Sequence, residues 1–241
     1  MKSMFLTATA IAAIVSVGAA AQDRSVSMSG IAVDYRGETT GNGEFSGAAV
    51  DVSGSFGGDL EVSGGAVDVD ATVGGDLDAS GGAIDLRGRF DGYADISGGA
   101  VDIDAAFGSR VSISAGAIDV SQGSSFADDL DLAAGAADLN GTYSGEIDAD
   151  FGELEFGGRA MGVVNFEGDK RSGIFRRRER SEIYISGALD AGGNVCAHEV
   201  TFMDGASVGG TLNVRADSEP IYPAGFDASN IRFEMRDGDC D

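Results

Sequence analysis

Carboxylates are the groups with which this chain is best equipped to do chemistry. Among its 241 residues, 40 Asp and Glu stand against 16 Lys and Arg, for a net charge of −24. They fall in rows. Asp34, Asp51, Asp68, Asp85, Asp102 and Asp119 recur every 17 residues, and Asp138 and Glu155 resume the spacing after a slip of two. A second row holds Glu61, Asp78, Asp95, Asp131 and Asp148, interrupted by Ser112. Hard cations favour carboxylate oxygens, so calcium is the ion such a row would suit, with Asp51, Asp68, Asp85, Asp102, Asp119 and Asp138 as candidate ligands. The competing reading, a solvated face kept soluble by its charge, stands ahead, because the sequence has neither a Gly-Gly-x-Gly-x-Asp nonapeptide nor a complete EF-hand loop. The charge itself excludes ordinary nucleic-acid binding, which requires a basic surface.

Other chemistry-bearing groups are few. Lys170, Arg171, Arg176, Arg177, Arg178 and Arg180 gather 6 of the 16 basic residues in one short stretch around Ile174 and Phe175. Such a basic loop on an acidic protein suits docking on a neighbouring subunit or on anionic envelope material, against the plain alternative of a surface loop. His198 is the one histidine, beside Cys196, with no Gly-x-Ser-x-Gly elbow and no zinc-ligand cluster. Acidic pairs abound, as in β-helical polysaccharide hydrolases, but those enzymes build clefts from long loops, whereas the turns here are short. The reading is therefore of a protein that is not an enzyme, with no cofactor motif. Cys196 and Cys240 are the only cysteines, and in an oxidising compartment they are expected to pair.

The elements that position these groups emerge when the chain is cut every 17 residues from Ser29. Successive blocks read SGAAVDVSGSFGGDLEV from 46, SGGAVDVDATVGGDLDA from 63, SGGAIDLRGRFDGYADI from 80 and SGGAVDIDAAFGSRVSI from 97. The block from 114 carries two extra residues, and those from 133 and 150 return to 17. Within a block apolar and polar residues alternate with the period of a strand: Val67 and Val69, then Val73, Leu77 and Ala79 face one way, and Asp68 and Asp78 the other. Paired glycines such as Gly64-Gly65 and Gly74-Gly75 mark corners, where positive φ and tight bends are expected. Identical residues at fixed phase over eight blocks require that each block lie over its counterpart, which antiparallel hairpins would not give. The predicted fold is all-β, a single-stranded parallel β-helix (β-solenoid) of about 17 residues per turn, with the right-handed winding most common in parallel coils.

Lys2 and the apolar run from Met4 to Ala21 read as a signal peptide over 1–21, which implies export to a periplasm or beyond; no later stretch is long enough to span a bilayer. A lead-in (22–28), solenoid repeats (29–166), the basic insertion (167–181), further turns (182–216) and a tail (217–241) with Pro220 and Pro223 complete the organisation. The prolines argue against a continued ladder in that tail.

The repeats SGGAVDVDATVGGDLDA and SGGAIDLRGRFDGYADI resemble those of bactofilins, polymer-forming bacterial cytoskeletal proteins with a compact right-handed β-helix. The resemblance is one of repeat style over residues 29–166, extending to 182–216. It implies a nucleotide-free scaffold that stacks end to end as a homo-oligomer or filament through apolar end rungs. The chain also resembles the Gly/Asp-rich repeats of adhesin-like β-solenoids, which implies a module that displays a cation- or glycan-binding surface.

Overall fold

The structure, a computed structural model, describes residues 13–16, 25–168, 180–238 and 240. They form a parallel β-solenoid of about 12 turns, with no helix among the described residues. β1 (Ala13–Ser16) lies against the first full turn, β2 (Val26–Thr39). β3 (Gly43–Phe56), β4 (Leu60–Val73), β5 (Leu77–Phe90) and β6 (Ala94–Phe107) follow, each a single 14-residue strand that bends around the axis. Later turns divide. β7 (Val111–Val120) continues into β8 (Ser125–Phe126), β9 (Leu130–Leu139) into β10 (Thr142–Tyr143), and β11 (Ile147–Phe156) into β12 (Arg159–Ala160). Beyond them come three strands to a turn: β13 (Val164–Glu167), β14 (Glu182–Ile185) and β15 (Ala188–Leu189), then β16 (Gly193–Cys196), β17 (Glu199–Phe202) and β18 (Ser207–Val208). β19 (Leu212–Ala216) and β20 (Ile231–Met235) end the stack.

Every pairing is parallel, and the register reproduces the sequence period. Val50 lies under Val67 and Val67 under Ile84, a step of 17 at each ladder from β2 to β7. The two extra residues enter between Val120, which pairs with Ile103, and Ser125, which pairs with Ala106. They make a small bulge held by the buried Ser124, whose Oγ donates to the Ile103 carbonyl (2.9 Å) and accepts from the Ala105 N–H (3.3 Å). The basic insertion shifts the register once, so that Glu182 pairs with Glu153, and thereafter the columns continue.

Burial alternates as the strand period requires: Leu60, Val62, Val67, Val69, Ala71 and Val73 of β4 point inward, and Asp68, Asp70 and Thr72 point out. Because inward residues stack on their counterparts, like packs on like. Phe90, Phe107, Phe126 and Tyr143 form a stack with centroids 5.3, 5.0 and 5.0 Å apart, continuous with Phe156 and Phe166. At the first turns Tyr35, Phe45 and Phe56 cluster, and Phe202, Tyr222 and Phe226 do so near the last.

Two expectations change. The Gly64-Gly65 and Gly74-Gly75 corners do not use positive φ, which occurs instead at Gly54 (126°) and Gly88 (110°) within strands, and in the late turns. What the corner demands is close approach: a Cβ on Gly99 would lie 2.6 Å from the Gly82 carbonyl oxygen of the turn before, and one on Gly82 2.7 Å from that of Gly65. The tail also rejoins the ladder. Ile221, between the two prolines, donates its N–H to the Val200 carbonyl (3.0 Å) and accepts from Phe202 N–H (2.8 Å), and β20 pairs with β19 once both prolines are passed. A proline costs one donor, which the free Ile221 amide supplies from between them.

Candidate functional site

The outward rows stack as drawn from the sequence. Asp34, Asp51, Asp68, Asp85, Asp102, Asp119, Asp138 and Glu155 are successive ladder partners, and so are Glu61, Asp78, Asp95, Ser112, Asp131 and Asp148. Carboxylates at a strand spacing of ~4.8 Å repel by about 0.9 kcal/mol per neighbouring pair even at the dielectric constant of water. The protein offsets part of this with arginines two residues further along the same face. Arg36 lies 3.4 Å from Asp34 and 3.7 Å from Asp51, and Arg87 lies 2.6 Å from Asp85 and 3.3 Å from Asp68. Asn140 Nδ2 donates to Asp138 (2.7 Å). Partial burial, with repulsion from neighbouring aspartates, raises the pKa of Asp51, Asp85 and Asp138 above the ordinary 3.8.

Beside this row runs a groove. Ala32, Ala49, Ala66, Ala83 and Ala100 expose their methyl groups one above another, Val33, Val50, Val67 and Ile84 lie beneath, and Asp34 to Asp102 form one wall, around a volume of about 600 Å³. The small side chains at the Ser-Gly-Gly-Ala corner make the surface concave there. The alternating pattern gave these alanines no role, and the signal that could have revealed the groove was their recurrence two residues before each aspartate.

A third acidic column serves the backbone and was missed in the sequence. At the opposite corner Asn42 Oδ1 accepts from Asp59 N–H (3.1 Å), Asp59 from Asp76 N–H (3.0 Å), and Asp76 from Tyr93 N–H (2.8 Å), while Asp129 accepts from Glu146 N–H (3.0 Å). Each side chain satisfies an amide of the next turn that the corner would otherwise leave unpaired.

No three His, Cys, Asp or Glu side chains among the described residues are grouped so as to hold a metal ion. The carboxylates form a row rather than a cage. Of the basic segment, Lys170, Arg171, Arg176, Arg177 and Arg178 lie outside the described residues, and Arg180 is exposed.

Cys196 and Cys240 form a disulfide, their Cα atoms 5.7 Å apart, and both are buried. Beside it stands a polar group that the sequence did not single out, because the insertion hides its period: Ser181 lies 17 residues before His198. Ser181 Oγ is 2.9 Å from His198 Nδ1 and accepts from the His198 N–H (3.1 Å), while the Ser181 N–H donates to Nδ1 (3.0 Å). Asp217 donates its N–H to the His198 carbonyl (3.2 Å), and its carboxylate accepts from Arg236 Nε (3.0 Å), a bond that lowers the Asp217 pKa. With Ser181 only 2 % exposed, this set is a clasp between turns rather than a reachable nucleophile and base.

No helix among the described residues is long and apolar enough to cross a membrane. The chain matches no family model, no curated protein and no solved structure.

Proposed function

We propose that this protein is an exported structural element of a bacterial envelope, a rigid acidic rod whose copies join end to end. The observation that carries the reading is the state of the two terminal rungs. Among the described residues β20 pairs only with β19, yet Phe233 and Met235 occupy the inward columns of Val214 and Ala216 and are 37 % and 66 % exposed. At the other end Val26 and Met28, aligned with Gly43 and Phe45, head the inward columns that end in Ile231 and Phe233, and among the described residues β2 meets an outer partner only over Val33–Arg36. A second copy added in register would place Val26 over Ile231 and Met28 over Phe233, pairing open edges and covering apolar side chains in one step. The acidic flanks oppose side-by-side clumping, so association is directed to the ends.

Export is supported by Lys2 and the apolar run to Ala21, and by a buried disulfide that needs an oxidising compartment. The repeat style it shares with bactofilins supports a scaffolding role. Negative-stain microscopy of the purified chain tests the reading: filaments one rod wide are expected, and the Phe233→Glu, Met235→Glu double variant should give single rods. Single rods from the parent at every concentration would favour a capped display module instead.

A further inference from the structure

The face along which β20 and β2 would meet carries two outward columns, and each changes character along the rod. The first opens with Ser27, Glu44 and Glu61, stays acidic to Asp148 apart from Ser112, turns to Asn for the next three rungs and ends in Arg232. The second opens with Ser29 and Ser46 and ends in Glu234. A face charged only for solubility gives no account of a column that surrenders its carboxylates toward one end and presents a cation on the last rung. The two ends are complementary instead: the column that begins with carboxylates ends in an arginine, and the column that ends in a carboxylate begins with serines.

The end residues are also unpaired within one rod. Arg232 and Glu44 are exposed, and among the described residues neither lies within ion-pair distance of an opposite charge. Glu44 leans toward the open end, where its Oε2 accepts from Ser27 Oγ (3.4 Å) of the first rung. With Val26 over Ile231 and Met28 over Phe233, Ser27 comes over Arg232 and Ser29 over Glu234. Glu44 then lies two rungs from Arg232, about 9.6 Å between backbones. An arginine of this protein already closes a similar gap: Arg87 stands one rung and two residues from Asp68, about 8 Å between backbones, and reaches it at 3.3 Å. Only the small Ser27 side chain stands between.

We infer that Arg232 of one copy forms a salt bridge with Glu44 of the next, and that this bridge fixes the register of the junction. The inference rests on end-to-end joining and adds what apolar burial alone does not supply. A slip of two residues is the smallest that keeps the apolar side chains inward. In one direction it would set Glu234 over Ser27, toward Glu44 and a like charge; in the other it would take Arg232 to Ser29 and away from Glu44.

Negative-stain microscopy and sedimentation of the purified chain and its variants at about 50 mM NaCl, where screening is weak, test the bridge. Arg232→Glu and Glu44→Arg, each alone, should raise the concentration needed for filaments at least about tenfold, with unchanged circular dichroism. An equimolar mixture of the two should form filaments near the parent's concentration, because each variant's last rung finds an opposite charge only on the other's first. A chain carrying both changes should do the same by itself. Filaments from either single variant at the parent's concentration, or a mixture no better than its components, would overturn the bridge and leave end-to-end joining standing. Single rods from the parent itself would overturn the joining, and the bridge with it.

Discussion

Arg87 ties two turns together: its guanidinium lies 2.6 Å from Asp85 of its own turn and 3.3 Å from Asp68 of the turn before. Asp68 and Asp85 are direct ladder partners, so without this cation two stacked carboxylates would face each other unrelieved. Arg87→Gln should therefore lower the thermal midpoint, by more than a typical surface substitution at about 20 mM salt and by much less at about 500 mM, where the Debye length has shrunk severalfold. A midpoint loss that does not depend on salt would mean that Arg87 acts through packing alone.

Acid should strengthen the rod before it weakens it. Burial and neighbouring aspartates raise the pKa of Asp51, Asp85 and Asp138 in the folded state, so the native protein binds protons more tightly there than the unfolded chain. Unfolding free energy then rises as pH falls through these folded pKa values toward the ordinary 3.8. Asp217 has the opposite sign: its pKa is lowered by Arg236, and its contribution is lost below 3.8. Melting curves from pH 7 down to about pH 3 should thus show a maximum just above the ordinary carboxylate pKa. A midpoint that falls steadily from neutrality would contradict the sign given to the aspartate row.

Corner glycines are set by contact between turns. Gly99→Ala would bring a methyl group to 2.6 Å from the Gly82 carbonyl oxygen, backbone that cannot yield without opening the ladder. The loss should be about 1–3 kcal/mol in denaturant unfolding, as for an overpacked interior. The adjacent exposed Ala100 should accept Ser with little effect, which separates a steric demand of the corner from a general sensitivity of the segment.

The Cys196–Cys240 bridge spans a sequence separation of 44 and secures the last rung. Cys240→Ser should destabilise the protein by up to about 4 kcal/mol on the chain-entropy account. Amide exchange should rise first in β20 and around Arg215, which donates to the Cys240 carbonyl at 3.1 Å. Uniform exchange along the rod would show that the bridge supports the whole stack rather than its end.

Most of this architecture was legible because stacking makes the sequence repeat itself. Val67 lies over Val50 and under Ile84, so each inward position faces the same environment and is filled in the same way; the period and the two extra residues before Ser125 followed from spacing, and the disulfide from there being just two cysteines in a chain read as exported. Physical detail that leaves no mark on hydropathy stayed hidden. An acidic residue reads alike whether it faces water, as Asp102 does, or accepts an amide from the next turn, as Asp76 does. Glycine reads alike at positive φ, as in Gly88, and under a neighbouring carbonyl, as in Gly99. The Ser181–His198 clasp lay just past the insertion, where the 17-residue phase had been lost, and the last rung lay beyond two prolines that Ile221 bridges.

Electron cryo-microscopy of the assembled protein tests the end-to-end account most directly. It should show head-to-tail filaments with an axial repeat of about 58 Å, twelve rungs at the strand spacing, and with Val26 stacked on Ile231 and Met28 on Phe233 at every junction. Junctions that join like ends, or a preparation that holds only isolated rods at the highest attainable concentration, would contradict it.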